Sequence, residues 1–357
     1  MKITKPTLIL NAAVCRANIA RMVNKAQSQG LELQPHFKTH QSKQIGQWFQ
    51  ELGVYKITVS SLGMAQYFAA SGWNDITVAF PCNILEIDAI NELAKDIALT
   101  VLVDNSDIAE LLNSQVRNSI SVYIEIDSGG NRSGIKPHQL EKVRDLANQI
   151  SASDKLKFKG LYSHAGHTYG AKGESEIQNL ANKSIEQLSS LKQLLLSEYP
   201  HLIACFGDTP SCSVLDSFAN IDRISPGNFV FYDVMQSEIG SCQLQDIAVT
   251  VACPVVSIKQ EENQLIIYGG AVHFSKDHSG KYGYGQVVEF INNGWEIIEG
   301  ATLIKVSQEH GIIQLEDGLT SEFKIGDVIG VLPIHSCLTA ECLRSYQTLN
   351  GELMDHY

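Results

Sequence analysis

A chain of 357 residues, 44% hydrophobic and 18% charged, can bury a sizeable core and is long enough for one large domain and a smaller one, at roughly 150 residues per domain. Its formal charge of −12, with no dense Lys/Arg run to offset it, opposes the phosphate neutralisation on which nucleic-acid binding depends. The start MKITKPTLILNAAVCRANIA lacks a charged segment followed by a long apolar one, and no run of about 18 apolar residues occurs, so the expectation is a soluble cytoplasmic protein with neither nucleic acid nor membrane as partner.

From about residue 31 to 230, short apolar or β-branched runs alternate with longer helical patterns, the mark of βα units around a parallel sheet. Eight runs follow in chain order: LQPHFK ending at Lys38, YKITVS at Ser60, DITVAF at Phe80, IALTVLV at Val103, SVYIEI at Ile126, FKGLYS at Ser163, LIACF at Phe206 and DRIS at Ser225. Eight units predict a closed α/β architecture, the (β/α)8 TIM barrel. Between the sixth and seventh runs Ile177, Leu180, Ile185, Leu188, Leu191, Leu194 and Leu195 recur at helical spacing and predict a core-facing helix. After about residue 240 the pattern changes to strands without long helices (DIAVTVACPVVSI, QLIIYGGAV, ATLIKVS, HGIIQLE, DVIGVLPI) separated by turns such as EEN, NNG and EDG, which predicts a C-terminal β-domain.

In such a barrel the reactive groups gather at the C-terminal ends of the strands, and phosphate is often held after strands seven and eight. There the sequence places Gly207-Asp208-Thr209-Pro210-Ser211 and Pro226-Gly227-Asn228. Small residues in those loops serve either as ordinary turns or as a cradle of backbone N–H groups for a phosphate monoester. Neither GxGxxG nor GxxxxGK[ST] is present to supply a phosphate site elsewhere. At the end of run one, Gln34, His36 and Lys38 alternate along one face of a predicted strand. A lysine at a strand end is commonly a solvated surface residue; beside a phosphate site, desolvated or close to cations, it is a nucleophilic amine able to form an imine.

Run five is followed by Asp127 to Arg132, and run six carries Tyr162, His164, His167 and Tyr169, aromatic and imidazole groups able to flank a flat heterocycle. Each of these also fits an ordinary core or rim position. In the β-domain, His335-Ser336-Cys337 puts two soft ligands on one face of a predicted extended segment, a pattern that arises by chance or binds zinc with its remaining positions left to water or substrate. The eight cysteines, scattered from Cys15 to Cys342, do not form a secreted disulfide framework and read mostly as small buried thiols.

These segments together resemble, nearly end to end, the D-serine dehydratase and D-threonine aldolase family of fold type III pyridoxal-phosphate enzymes, related to alanine racemase. The resemblance rests on KPTLILNAAVCRANIARM, PHFKTH, GLYSHAGHTYG, GDTPS, PGNFVFYD, VSQEHG (with Glu309 and His310) and PIHSC. It implies an alanine racemase-like barrel over residues 20–235 and a dehydratase-like, metal-binding β-domain built from residues 1–19 and 236–357. It implies Lys38 as the catalytic residue that carries pyridoxal 5'-phosphate, with Tyr162, Tyr169, Thr209, Gly227 and Asn228 around the cofactor; His164 and Arg132, on the neighbouring strand ends, complete the expected cofactor set. It also implies His335 and Cys337 as ligands of Zn2+, with Mn2+ or Mg2+ as alternatives, and a head-to-tail homodimer that completes each active site from both chains. One departure is visible: where many relatives have a DAG-type sequence before an SxD element, this chain reads Tyr268-Gly269-Gly270 and then Ser275-Lys276-Asp277.

The activity so implied is a pyridoxal-phosphate- and metal-dependent lyase acting on a D-amino acid, foremost the dehydration of D-serine to pyruvate and ammonia. Aldol cleavage of D-threonine or another D-3-hydroxy amino acid is the first alternative. It would be favoured by an aspartate in place of Cys337, since a thiolate suits zinc and a carboxylate suits harder ions. Racemisation needs no metal at a β-hydroxyl, and a non-catalytic pyridoxal-phosphate carrier needs no added β-domain.

Overall fold

The computed structural model describes residues Lys2–Tyr357. They fall into two compact units: a barrel unit of Ala20–Lys38 and Ile45–Gly227, and a β-unit made of the residues up to Ile19, Thr39–Gln44 and Asn228–Tyr357.

The first strand, β1 (Thr7–Leu10), belongs to the β-unit. The barrel unit then supplies eight parallel strands: β2 (Glu32–Leu33), β3 (Lys56–Val59), β4 (Asp75–Pro81), β5 (Ala98–Val103), β6 (Ile120–Glu125), β7 (Leu156–Ser163), β8 (Ile203–Phe206) and β9 (Arg223–Ile224). Their order is β2-β9-β8-β7-β6-β5-β4-β3, and a single bridge between His36 and Thr58 spans the remaining seam. Each of the eight runs overlaps one barrel strand, the first of them only at Leu33. The middle strands are apolar on both faces because helices cover the outside of a parallel barrel: Leu99, Val101, Leu102 and Val103 of β5 are all buried.

Two of the helices between the strands begin at a side-chain cap. Ser61 accepts from Met64 N–H at the start of Leu62–Ala69, and Asn105 from Ile108 N–H at the start of Ser106–Gln115, each satisfying a donor that the first helical turn leaves open. The helix expected between runs six and seven spans Glu174–Leu195 and buries Ile177, Ile185, Leu188, Leu191 and Leu195. Leu194 points outward instead, 55% exposed.

The barrel interior is held partly by polar contacts. Gln34 is fully buried; its Nε2 donates to Thr77 Oγ1 (2.6 Å) and to the Ile57 carbonyl (3.1 Å). Gln34 therefore serves to join strands rather than to face a ligand, and of the three polar residues that end run one it is the structural member. Lys38 itself lies in a turn past the end of β2, not on a strand.

In the β-unit, β10 (Val249–Lys259), β11 (Gln264–Tyr268), β12 (Gly285–Ile291), β13 (Gly294–Val306), β14 (His310–Leu315) and β15 (Val328–Pro333) form antiparallel pairs, and β10 closes the set by pairing with both β15 and β11. Beyond β10 the sheet continues through β1, β16 (Tyr346–Thr348) and β17 (Leu353–Met354). The N-terminal strand thus pairs antiparallel with β10, Thr7 opposite Ala252 and Leu10 opposite Val249. The sequence patterns at 264–272, 301–307, 310–316 and 327–334 each hold a strand, while β12, β16 and β17 were not read. The glycines of Tyr268-Gly269-Gly270 have a steric reason: a Cβ on Gly270 would stand 2.4 Å from the Ser307 carbonyl oxygen, and one on Gly269 2.6 Å from Cys253 Sγ.

Candidate active site

Two groups of chemically capable side chains emerge, one in each unit. In the barrel unit a cavity of about 430 Å3 is lined by His36, Lys38, Ser60, Phe80, Glu125, Arg132, Tyr162 and His164, among others. Its size falls within the roughly 300–1,000 Å3 of small-molecule sites. Lys38 is exposed into this space. The turn that carries Lys38 is tied to the loop after β9 because His36 N–H donates to the Pro226 carbonyl (2.8 Å).

Tyr162, at the end of β7, is buried, and its hydroxyl starts a relay: it donates to Ser225 Oγ (3.3 Å), which donates to Thr58 Oγ1 (2.9 Å), which donates to the Gln34 carbonyl (3.2 Å). Burial, with Cys205 nearby, pushes the phenol far above its ordinary range, so it remains a neutral donor. His164 lies 2.7 Å through Nδ1 from the Gly207 carbonyl. A carbonyl only accepts, so Nδ1 carries the hydrogen and Nε2 the lone pair. Burial, then the positive charge of Lys38, lowers His164 to about 4 and keeps it neutral.

Arg132 rides on the loop after β6. Asp127 fastens that loop, accepting from Gly129 and Asn131 N–H (3.0 Å each) and from Lys136 Nζ (2.7 Å). Glu125, which sequence reasoning passed over, also faces the cavity. Ser133 Oγ donates to its Oε1 (2.9 Å), its Oε2 is buried without a hydrogen-bond partner, and burial raises its pKa. A carboxylate inside the otherwise apolar run SVYIEI was the available signal.

The two loops expected to cradle a phosphate are both close-packed. A Cβ on Gly207 would come within 2.6 Å of Ser225 N, so only glycine lets the ends of β8 and β9 approach in this way. Asp208 caps the short helix Thr209–Val214 by accepting from Ser211 N–H (2.7 Å), and Thr168 Oγ1 also donates to it (2.8 Å). Its burial raises its pKa to about 6 against these hydrogen bonds. Thr209 is buried and its N–H donates to Tyr169 Oη at 3.4 Å. Tyr169 sits in the turn Gly166–Gly170, its ring centroid 6.4 Å from that of His164. Gly227 is the last residue of the barrel unit. The cavity, the glycine-only approach at Gly207 and the orphaned Glu125 oxygen fit a cofactor with a phosphate tail and a polar ring.

In the β-unit, His335 does not lie on an extended segment with Cys337. It lies two residues past the end of β15 and directly precedes the helix Ser336–Leu343, which already contains Cys337. The polar residues at this turn are densely connected. Asn228 Nδ2 is 2.7 Å from Asp233 Oδ2, 3.0 Å from Ser336 Oγ and 3.4 Å from Cys337 Sγ. Thr39 Oγ1 is 3.2 Å from the same sulfur, and Ser336 N–H donates to Asp233 (3.0 Å). Asn228, expected beside the cofactor, is thus placed with the sulfur of the expected metal pair.

His335 Nδ1 is 2.9 Å from Asp277 Oδ2. Burial works against a charge on His335, but Cys337, Asp233 and Asp277 outweigh it and raise its pKa to about 10. Among the described residues no cluster of three His, Cys, Asp or Glu side chains is assembled around a common point. Two soft donors fit zinc in a site that leaves its other positions to water or substrate. Glu309 and His310 are elsewhere: Glu309 faces His273 (3.7 Å), and His310 opens β14 opposite Tyr268.

An eight-stranded barrel with a lysine-bearing cavity at its strand ends, joined in one chain to an antiparallel β-domain, defines an alanine racemase-like protein. Residues 10–233 match the alanine racemase N-terminal domain family, and residues 248–349 match the putative serine dehydratase domain family. The chain is 32% identical to the D-serine dehydratase of Dictyostelium discoideum, over 97% of this chain and 93% of the relative. It is 22% identical to a D-threonine aldolase of an Arthrobacter species, over 94% and 86%. A solved structure of a D-threo-3-hydroxyaspartate dehydratase, a cysteine-to-alanine mutant in the metal-free form, superposes with a TM-score of 0.94 at 25% identity, covering 100% of this chain and 98% of that one. The chain belongs to the alanine racemase-like fold type III family of pyridoxal-phosphate enzymes, in the lyase branch that holds the dehydratases and aldolases.

Proposed function

We propose that this enzyme eliminates water from D-serine, yielding pyruvate and ammonia, and that Lys38, Tyr162, Tyr169, His164, Arg132, Thr209, Gly227 and Asn228 hold its pyridoxal phosphate while His335 and Cys337 hold a zinc ion. The observation that carries this reading is the gathering of Lys38, Tyr162, His164 and Arg132 on one cavity. The 32% identity with a D-serine dehydratase over nearly the full length supports the substrate.

When bound, pyridoxal phosphate supplies an electron sink that acidifies the substrate α-proton. The chain's own residues do the rest. Lys38 would hold the cofactor through its amine, and its Nζ, when free, is the group placed to take the α-proton. Tyr162, held neutral with its hydroxyl hydrogen committed to Ser225, presents its ring and an accepting oxygen. His164, with Nδ1 committed to Gly207, presents a neutral nitrogen without adding positive charge near Lys38. His335 and Cys337 would hold a zinc ion, which would supply Lewis-acid assistance to the departing β-hydroxyl. A solved relative with a cysteine replaced is recorded in a metal-free form, in keeping with a metal among the properties of that enzyme.

Cytoplasmic residence and a homodimer with shared active sites complete the proposal. The free state of all eight cysteines supports a reducing compartment. No described helix is long and apolar enough to cross a membrane. Incubation with D-serine and D-threonine separately, with product analysis, tests the reaction. Pyruvate from D-serine is expected; glycine plus an aldehyde from D-threonine, without pyruvate from D-serine, would establish aldol cleavage instead, and inverted starting material would establish racemisation.

A further inference from the structure

We propose that Asp277 is a positioning residue for the metal: its carboxylate fixes the tautomer and aim of His335, so that metal affinity depends on a residue that does not itself ligate. This rests on the reading of His335 and Cys337 as the metal's ligands.

An imidazole can bind a metal only through a nitrogen that carries no proton, and which nitrogen that is depends on the hydrogen bond made by the other. His335 Nδ1 lies 2.9 Å from Asp277 Oδ2. An ionised carboxylate accepts and does not donate, so the hydrogen on Nδ1 is held by Asp277, and Nε2 is the nitrogen that gives up its proton and turns its lone pair to a metal. A carboxylate on the far side of a ligating imidazole also makes the ligating nitrogen more basic.

The arrangement is built rather than incidental. Asp277 sits in a tight turn directly after the short helix Ala271–Phe274; its N–H donates to Ser275 Oγ (3.2 Å), and Ser275 occupies the left-handed region at φ 74°. That backbone conformation is costly for a residue with a side chain and persists only where its surroundings impose it. The turn is also clamped to the element that bears the other ligand: Thr339, buried in the helix Ser336–Leu343 that contains Cys337, donates through Oγ1 to the Phe274 carbonyl (3.2 Å). The carboxylate behind His335 and the helix carrying Cys337 are therefore held in register by a bond that involves neither ligand.

Zinc affinity of the full-length protein, measured by competition with a chromophoric chelator, tests this without reference to turnover. D277A is expected to weaken zinc binding by roughly 10–100-fold. D277N, which keeps an acceptor oxygen and the side chain's shape but loses the charge, should fall between D277A and wild type. Both variants, stripped of metal, should melt within a degree or two of stripped wild type, which separates positioning of the ligand from general damage to the fold. Wild-type affinity in D277A and D277N alike would overturn the proposal, as would a weakened affinity matched by an equal loss of metal-free stability. If the wild-type protein holds no zinc that H335A or C337A releases, the ligand assignment itself falls, a different failure from that of Asp277.

Discussion

The two units concentrate polar chemistry in opposite ways. In the barrel unit the capable groups come one at a time from separate strand ends: Lys38 past β2, Glu125 on β6, Tyr162 on β7 and His164 just beyond it, each with its own support. In the β-unit they crowd onto a single strand-to-helix turn, where Asn228, Asp233, Thr39 and Ser336 bond to one another or to the Cys337 sulfur and Asp277 bonds to His335. The difference suits the proposed tasks. A lysine that must attach, release and take a proton needs an open cavity and freedom to move, whereas a metal site needs ligands already fixed by their neighbours.

That contrast can be broken at several points. Lys38→Ala should have the largest effect, abolishing the visible absorption of the bound cofactor and cutting turnover by more than the roughly 10^2–10^4-fold that a general base alone is worth. Persistence of the absorption band would move the attachment elsewhere. Chelation, or Cys337→Ala, should cost several kcal/mol of barrier lowering while leaving that band in place, with zinc restoring activity to the chelated enzyme but not to the variant. Equal activity before and after metal removal would dissolve the second half of the comparison.

Smaller effects sharpen the account of the β-unit. His40 is fully buried there, and burial, then the nearby His356, lowers its pKa from 6.5 to about 3. The folded state thus keeps His40 neutral where the unfolded chain would take up a proton. Its contribution is complete above pH 6.5 and shrinks as the pH falls toward 3, by on the order of 3 kcal/mol at pH 4. Denaturant melts from pH 7 to pH 4 should show a decline that His40→Asn flattens.

Smallest, Asp355 accepts from Ser42 Oγ (2.8 Å), Lys43 N–H (3.0 Å) and Gln44 N–H (3.4 Å), closing the residues that follow Lys38 with the end of the chain. Asp355→Ala should lower stability by about 1 kcal/mol, as loss of a helix cap does, detectable as a shift in the denaturant midpoint.

Much of the fold was legible because barrel strands and helices leave strong periodic marks. All eight runs overlap a barrel strand, though the first only at Leu33, and the helix at 174–195 buries most of its expected stripe. What escaped was short or set by distant partners. Strands β16 and β17, of three and two residues, carry too few side chains for a period to show. Lys38 was expected on a strand, but the alternation of Gln34, His36 and Lys38 runs on past the end of β2 at Leu33 and past the isolated bridge at His36. The spacing of His335 and Cys337 was visible while its geometry was not, since a two-residue step occurs in a strand and also across the start of a helix. Glu125, Asp233 and Asp277 take their meaning from residues 8 to 103 positions away, which no local pattern encodes.

The central claim is the covalent tie between one lysine and the cofactor. Borohydride treatment of the cofactor-loaded enzyme makes that tie permanent, and peptide mass mapping then locates the added pyridoxyl group. The account predicts it on the peptide containing Lys38 and nowhere else; a mark on any other lysine, with Lys38 unmodified, would contradict it.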